Sequence, residues 1–369
     1  MSTSQRIISL DVLRGMTISL MILVNTPGSW SFIYSPLRHA VWHGSTPTDL
    51  VFPFFLFIVG VSLYFSFKKY EKAASKAAIS KILKRTFGIF LIGLLLNLYP
   101  YFNFENVRIM GVLQRIALAY GAGALLCVNF TKRKLWMILA IILFGYWALL
   151  YYGGGLDPYA LEDNVVRTLD LYVFGDQHIY KGFGIPFDPE GLLSSIPAVG
   201  TVIIGYLIGD MIHNTKSLIL KMKTLSVYGA LMTILGGAWG LVLPINKPLW
   251  TSSYVLYTAG LATLVLVVLI FIIDYKKTSS WSRPFVHFGS NPLFIFVFSG
   301  VYAKTISYII KLPVSGQTDT ISLYRYLFSN VFAPTFGNMN GSLLFAISHI
   351  IVFWAICYLL YRNKIFIKI

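Results

Sequence analysis

The chain is 369 residues long, 56% hydrophobic and 16% aromatic, with only 12% charged residues and a formal net charge of +16. A soluble domain carries about a quarter charged residues, so half that share, with a mean hydropathy of +0.70, cannot wet a globular surface. The positive charge does not read as a nucleic-acid footprint, because the basic residues alternate between loops as membrane topology demands. No nucleic-acid partner is expected; a lipid bilayer is.

In chain order, the first apolar segment, "IISLDVLRGMTISLMILV", carries Asp11 and Arg14 and lacks a small-residue cleavage site. It reads as a first span rather than a removable signal. Ten spans are predicted, at 7–24, 49–66, 82–98, 110–128, 134–151, 192–212, 225–243, 251–273, 285–310 and 342–361, each close to the roughly 20 residues a bilayer crossing needs. The predicted fold is therefore an all-α polytopic transmembrane helix bundle forming a single domain over 1–369. The 66–85 connection is rich in lysine. Alternate loops after it carry Lys132, Arg133 and Lys134, then Lys216, Lys221 and Lys223, then Lys276, Lys277 and Arg283. Arg6 at the start and Arg362, Lys364 and Lys368 at the end join the same side, which places both termini in the cytoplasm. The acids fall mostly on the opposite side, Glu105, Asp157, Asp176, Asp188 and Glu190 among them. Cys127 and Cys357 lie inside apolar segments and read as small buried hydrophobes, with no disulfide or metal site expected.

This topology puts "PLRHAVWHGSTPTDLVFPFFLFIVGVS", residues 36–62, at an outward mouth between spans 1 and 2. The spacing of His39 and His43 predicts one shared helix face. Metal is not expected there, because the zinc-protease glutamate is missing and no cysteine is near. Asp49 fits two roles. "TPTD" before an apolar run is a helix start, with Thr48 or Asp49 as its cap, and an aspartate near a histidine can orient the imidazole. Asn25, at the end of span 1, either turns the chain or offers a neutral donor to an oxyanion. Ionisable residues within spans carry a functional expectation because burial is costly. Arg14 either pairs with Asp11 or holds an anion. Gln114 and Arg115 in span 4, and Lys304 in span 9, are candidate cofactor contacts. The outward loop 152–190 is too long for a connector and is a candidate substrate-binding element. Its Asp176, Asp188 and Glu190 suit a cationic amine, although each taken singly is what a solvated loop carries. No P-loop, dinucleotide fingerprint or G-x-S-x-G elbow occurs in its required context.

Seven blocks, "SLDVLRGMTISLMILVN", "RHAVWHGSTPTDLVFPFFLFIVG", "GVLQRIALAY", "GDQHIY", "DPEGLL", "LPINKPLWTSSYV" and "FGSNPLFIFV", follow one another from near the N-terminus to about residue 300. In that order they resemble the heparan-α-glucosaminide N-acetyltransferase family, within the transmembrane acyltransferase superfamily. The chain looks like a bacterial-type relative that begins at the catalytic core, without the family's N-terminal luminal domain and span. That departure puts a polymeric heparan acceptor in doubt. The resemblance implies acetyl-CoA as cytosolic donor and a glucosamine-type amino sugar as acceptor on the far side of the membrane. It implies a multi-pass protein of the bacterial cytoplasmic (inner) membrane, and by analogy a homodimer. The family's active-site histidine falls on His39 and its polar asparagine on Asn25. His43 stands where the family has asparagine, so catalysis is not carried over to it. Trp42 and His43 beside the active histidine, and His178 in "GDQHIY", are expected acceptor contacts.

The mechanism expected is direct transfer, with His39 as base, Asn25 on the oxyanion and Asp49 orienting the imidazole. An acetyl-histidine route is the alternative. Two rival functions stand beside it. One is an amino-sugar transporter with a proton-coupling histidine, weakened by the lack of an internal repeat. The other is an O-acyltransferase acting on a cell-surface glycan.

Overall fold

A computed structural model describes residues 7–68, 75–313 and 319–367; Arg6, Lys368 and part of the lysine-rich connection lie outside them. Apolar runs bounded by Pro, Gly and Asn become helices α1 (Ile8–Asn25), α2 (Val51–Phe67), α3 (Lys76–Leu98), α4 (Val112–Asn129) and α5 (Lys132–Gly153). They continue as α6 (Val165–Phe174), α7 (Ser195–Asn214), α8 (Leu218–Trp239), α9 (Ser252–Leu269), α10 (Arg283–Ser290), α11 (Pro292–Lys304), α12 (Leu323–Leu327), α13 (Ala333–Phe336) and α14 (Asn338–Arg362). A two-stranded antiparallel ribbon pairs β1 (Lys311–Pro313) with β2 (Thr320–Ser322), Leu312 opposite Ile321.

Among the described residues, nine helices are long and apolar enough to cross a membrane, against ten expected. The third expected span, 82–98, falls within α3. That helix is long enough, but every 18-residue window inside it contains Lys81, Lys84 and Arg85. Its end contacts nevertheless pair Thr86 with Gly121 and Leu113 with Gly93, so it runs antiparallel to α4 along the bundle. The ninth expected span, 285–310, is interrupted. Asn291 leaves helical geometry before Pro292, and its side chain is tied to the C-terminal tail through Ile365 O and Ile367 N.

The centre of the bundle is α7, with 89% of its spanning window buried, whereas α8 and α11 are peripheral at 11% and 17%. Close approach of α7 to α2 is what small residues permit. The two run parallel, and Gly60 and Gly205 face each other at the crossing. A Cβ on Gly205 would lie 2.2 Å from the carbonyl oxygen of Phe57, and one on Gly60 2.1 Å from that of Val202. Because both walls are backbone, neither glycine can take a side chain without parting the helices. The starts of α2 and α7 thereby share one end of the bundle, and their C-termini the other. Cys127 and Cys357 are buried and unpaired.

Gly205→Val is expected to destabilise the protein by about 1–3 kcal/mol, the usual cost of overpacking. A thermal melt in detergent reads this as a lower midpoint; an unchanged midpoint would contradict the backbone-to-backbone contact.

Candidate active site

Residues 34–50 form no α-helix. A 3₁₀ turn at Ser35–Leu37 is followed by irregular chain and a second 3₁₀ turn at Pro47–Leu50, which leads into α2. Gly44 sits at φ +97°, where a side chain would be strained, and its N–H donates to Ile245 O at 2.7 Å. The expected shared helix face of His39 and His43 is therefore absent. His39 turns toward Asp49, while His43 Nδ1 accepts from the side-chain amide of Asn246 at 3.3 Å.

The cap of the second turn is Thr46, not Thr48 or Asp49. Asp49 sits at the third position after it and reaches back to it. Asp49 Oδ2 accepts from Thr46 N at 3.0 Å, Thr46 Oγ1 at 3.0 Å and Ala40 N at 2.9 Å. Oδ1 stands 2.6 Å from His39 Nδ1. An ionised carboxylate only accepts, so the Nδ1 proton is the donor and Nε2 is left as the basic nitrogen. The two roles open in the sequence, capping and orienting, are taken by different oxygens of one carboxylate. Asp49 is 1% exposed, whereas the His39 side chain is 45% exposed. The buried partner fixes a ring that reaches solvent. The Asp49 carbonyl accepts from the Tyr254 hydroxyl at 2.5 Å.

The loop before α9 completes the site. Asn246 Oδ1 accepts from Leu249 N at 2.7 Å, and its amide donates to Trp42 O at 3.0 Å. Trp250 is fully buried at φ +52°, a strained geometry for a bulky residue. Its ring packs against Phe52 and Tyr254. Lys247 is held so that Nζ lies 3.1 Å from His39 Nδ1 and 3.4 Å from Asp49 Oδ1. Burial lowers the pKa of Lys247, against the opposing pull of Asp49 and Glu190. Reading the sequence missed Lys247, Asn246 and Tyr254. The signal was present as a single lysine between Asn and Pro in the otherwise apolar block "LPINKPLW".

The remaining candidates are spread over the same end and beyond it. Trp42 donates from its indole to Tyr159 O at 2.8 Å and packs edge-on against Phe183 and Phe187. This docks the site loop onto the 152–190 segment, which folds as a small second core with Tyr146, Leu150, Val166 and Leu249. Asp188 receives Arg108 through both its oxygens, at 2.7 and 2.9 Å, and Glu190 takes the same guanidinium at 2.5 Å. Both carboxylates are thus engaged by an arginine, whose own pKa rises as a result despite burial. Asp176 pairs with Lys181 at 2.7 Å on the surface. His178 Nδ1 meets Val107 O at 2.8 Å. Burial lowers the pKa of His43, opposed by Asp157.

Arg115 is fully buried, donates to Ser194 Oγ and lies over the Trp250 ring at 4.9 Å. Gln114 is buried beside it in sequence but faces Gly93 on α3. Lys304 donates to the carbonyls of Leu96 and Tyr99 at 2.6 and 2.8 Å, satisfying the C-terminal end of α3. Asn25 is exposed at the end of α1, and its side chain takes part in none of the described hydrogen bonds. Arg14 lies at the opposite end of the bundle, bonded to Ser62 Oγ at 2.6 Å and to Asp11 at 3.2 Å. There it lines a cavity of about 760 Å³ together with His213, Lys216, Lys221, Asp274 and Lys277.

Fold and site together define a polytopic helical membrane protein with a histidine–aspartate pair at one end of its bundle and a basic cavity at the other. The chain belongs to the heparan-alpha-glucosaminide N-acetyltransferase, catalytic family, whose profile matches residues 6–243. Two relatives carry the name heparan-alpha-glucosaminide N-acetyltransferase. The Homo sapiens protein is 28% identical over 427 aligned positions, covering 99% of this chain and 60% of its own length. The Mus musculus protein is 26% identical over 431, covering 100% and 61%. The chain spans about three fifths of the length of these curated relatives. His39 and Asp49 fall inside the matched family region, and Lys247 lies just past its end.

Asp170 on α6 carries a test of the 152–190 segment. Its Oδ1 accepts from Leu192 N at 2.9 Å, while burial, with Asp188 adding to it, raises its pKa to about 7. The folded state then holds a proton that the unfolded chain releases near pH 4, so stability falls as pH rises from about 4 to about 7. Asp170→Asn is expected to flatten that fall, by an amount on the order of 2–4 kcal/mol across the window. Thermal melts at pH 5 and pH 8 measure it; parallel slopes in both proteins would contradict it.

Proposed function

We propose that the protein transfers an acetyl group from acetyl-CoA to the amine of a glucosamine-type amino sugar, with His39 as general base. The observation that carries this is the 2.6 Å His39–Asp49 pair, one member buried and the other reaching solvent. In the proposed step the amine nitrogen attacks the thioester carbonyl carbon as His39 Nε2 accepts its proton. The C–N bond forms, the C–S bond breaks, and the departing CoA sulfur takes the proton from the imidazolium. Asp49 holds the Nδ1–H tautomer throughout and stabilises the transient charge. Asn25 is the proposed donor to the developing oxyanion.

Acetyl-CoA carries phosphates that need cations. Arg14, Lys216, Lys221 and Lys277 around the basic cavity exceed its two carboxylates, Asp11 and Asp274, and this surplus suits an anionic nucleotide. Ser62 on α2, beside Arg14, lies thirteen residues further along the chain than Asp49, about 20 Å at helical rise. The proposed route therefore runs beside α2, from the nucleotide at the basic end to the thioester at His39. Given the excess of lysine at the nucleotide end, that end is the proposed cytoplasmic side and His39 the extracytoplasmic one. The membrane concerned is proposed to be the bacterial inner membrane.

Purified protein given acetyl-CoA and glucosamine is expected to form N-acetylglucosamine, detected by mass spectrometry, and His39→Ala is expected to lose about 10²-fold or more of the rate. Equal product from His39→Ala would overturn the assignment, and glucosamine uptake by vesicles lacking CoA would favour a carrier. Lys221→Gln with Lys277→Gln is expected to raise KM for acetyl-CoA severalfold while leaving KM for the sugar unchanged. A rise in the sugar's KM instead would move the nucleotide elsewhere.

A further inference from the structure

The three-way arrangement of His39, Asp49 and Lys247 poses a chemical problem. A buried carboxylate beside an imidazole favours the imidazolium. An imidazolium has no lone pair and cannot accept the amine proton. With Asp49 alone, the histidine would be oriented at the expense of its neutral, proton-accepting form. Lys247 Nζ stands 3.1 Å from His39 Nδ1 and 3.4 Å from Asp49 Oδ1. Nδ1 has one in-plane site, and the proton shared with Asp49 occupies it. The ammonium therefore acts on the ring as a neighbouring charge rather than as a hydrogen-bond donor.

We propose that Lys247 is a positioning residue that keeps His39 neutral and ready to accept a proton, by cancelling the field of Asp49 at the imidazole. This rests on the reading of His39 as the base. Asp49 orients the ring through its hydrogen bond, and Lys247 removes the charging effect of that bond.

The surroundings support this division of labour. The Lys247 side chain is 18% exposed and His39 45%, and Lys247 Nζ and Asp49 Oδ1 both approach the ring at Nδ1, leaving Nε2 in none of the described hydrogen bonds. Lys247 is fixed by its own loop: its carbonyl accepts from Trp250 N at 3.0 Å, Pro248 follows, and Asn246 is tied to the His39 loop through Trp42. The other charged or titratable groups nearby are already committed or turned away. From the outer segment, Glu190 acts on Lys247 but is paired with Arg108; from α4, Arg115 opposes it from beneath Trp250. From α9, Tyr254 donates to the Asp49 carbonyl. On the loop itself, Arg38 donates to Ile33 O and His43 faces Asn246. Asp49 is thus the carboxylate that Lys247 balances at the ring.

The test is the titration of His39 in the detergent-purified full chain. Diethyl pyrocarbonate modifies neutral imidazole, and its extent at His39 is followed against pH by mass spectrometry. Removing a nearby cation raises the imidazole's pKa. In Lys247→Met the midpoint is expected to move up by about one pH unit, and in Lys247→Arg to stay where the wild type has it. Lys247→Gln serves as a second neutral variant should Lys247→Met not fold. In parallel, the acid limb of acetyl transfer in the neutral variant is expected to move up by the same amount. The rate near pH 6 then falls about tenfold while the high-pH plateau is retained. An unmoved His39 midpoint in the neutral variants, or a rate lost equally at every pH, would overturn the proposal. Because modification requires no turnover, a wild type that transfers no acetyl group would defeat the acetyltransferase reading while the midpoint still decides the role of Lys247.

Discussion

The carboxylate of Asp49 is the constraint on which the rest of the site depends. It is buried in the 3₁₀ turn that leads into α2, and a carboxylate buried without partners costs several kcal/mol. The chain before it is shaped to supply them. Thr46 and Ala40 turn their N–H groups onto one oxygen, and His39 and Lys247 converge on the other. The stretch from Arg38 to Leu50 needs no helix of its own because this one acceptor organises it. The same bonds fix the imidazole's tautomer, so the group that satisfies the backbone also sets the chemistry offered at Nε2.

Asp49 is in turn placed by the bundle. Its helix crosses α7 with backbone against backbone at Gly60 and Gly205, and Tyr254 on α9 holds its carbonyl from a third direction. Above it, Trp42 connects the loop to the small core formed by the 152–190 segment, and Asn246 connects it to the loop that carries Lys247. Three chain segments distant in sequence thereby meet around one loop. The opposite end of α2 meets a different requirement, a wide cavity with more cations than anions. The proposed reaction draws on both ends of one helix.

Much of this was legible in the sequence for identifiable reasons. Apolar runs of spanning length translate directly into helices, and the alternation of lysine with acid marked the two ends. The structure adds what the sequence could not show where local pattern meets tertiary demand. The His39–His43 spacing suggested a helix, but Gly44, Pro47 and the pull of Asp49 keep that stretch irregular. Asp188 and Glu190 read as open outer acids because Arg108, some 80 residues earlier, carries no local sign of its pairing with them. Lys304 read as an intramembrane cation for a ligand, whereas the carbonyls ending α3 take its protons. Lys247 was overlooked because its significance lies in a distance to His39 across 208 positions of chain. Single-sequence pattern carries no such separation.

The central claim is that acetyl transfer joins a donor at the basic end of the bundle to an acceptor at the His39 end. The most direct measurement uses sealed proteoliposomes with acetyl-CoA trapped inside and glucosamine supplied only outside. N-acetylglucosamine accumulating outside, dependent on His39, is the predicted result. Product formed only when donor and acceptor share one compartment would contradict it.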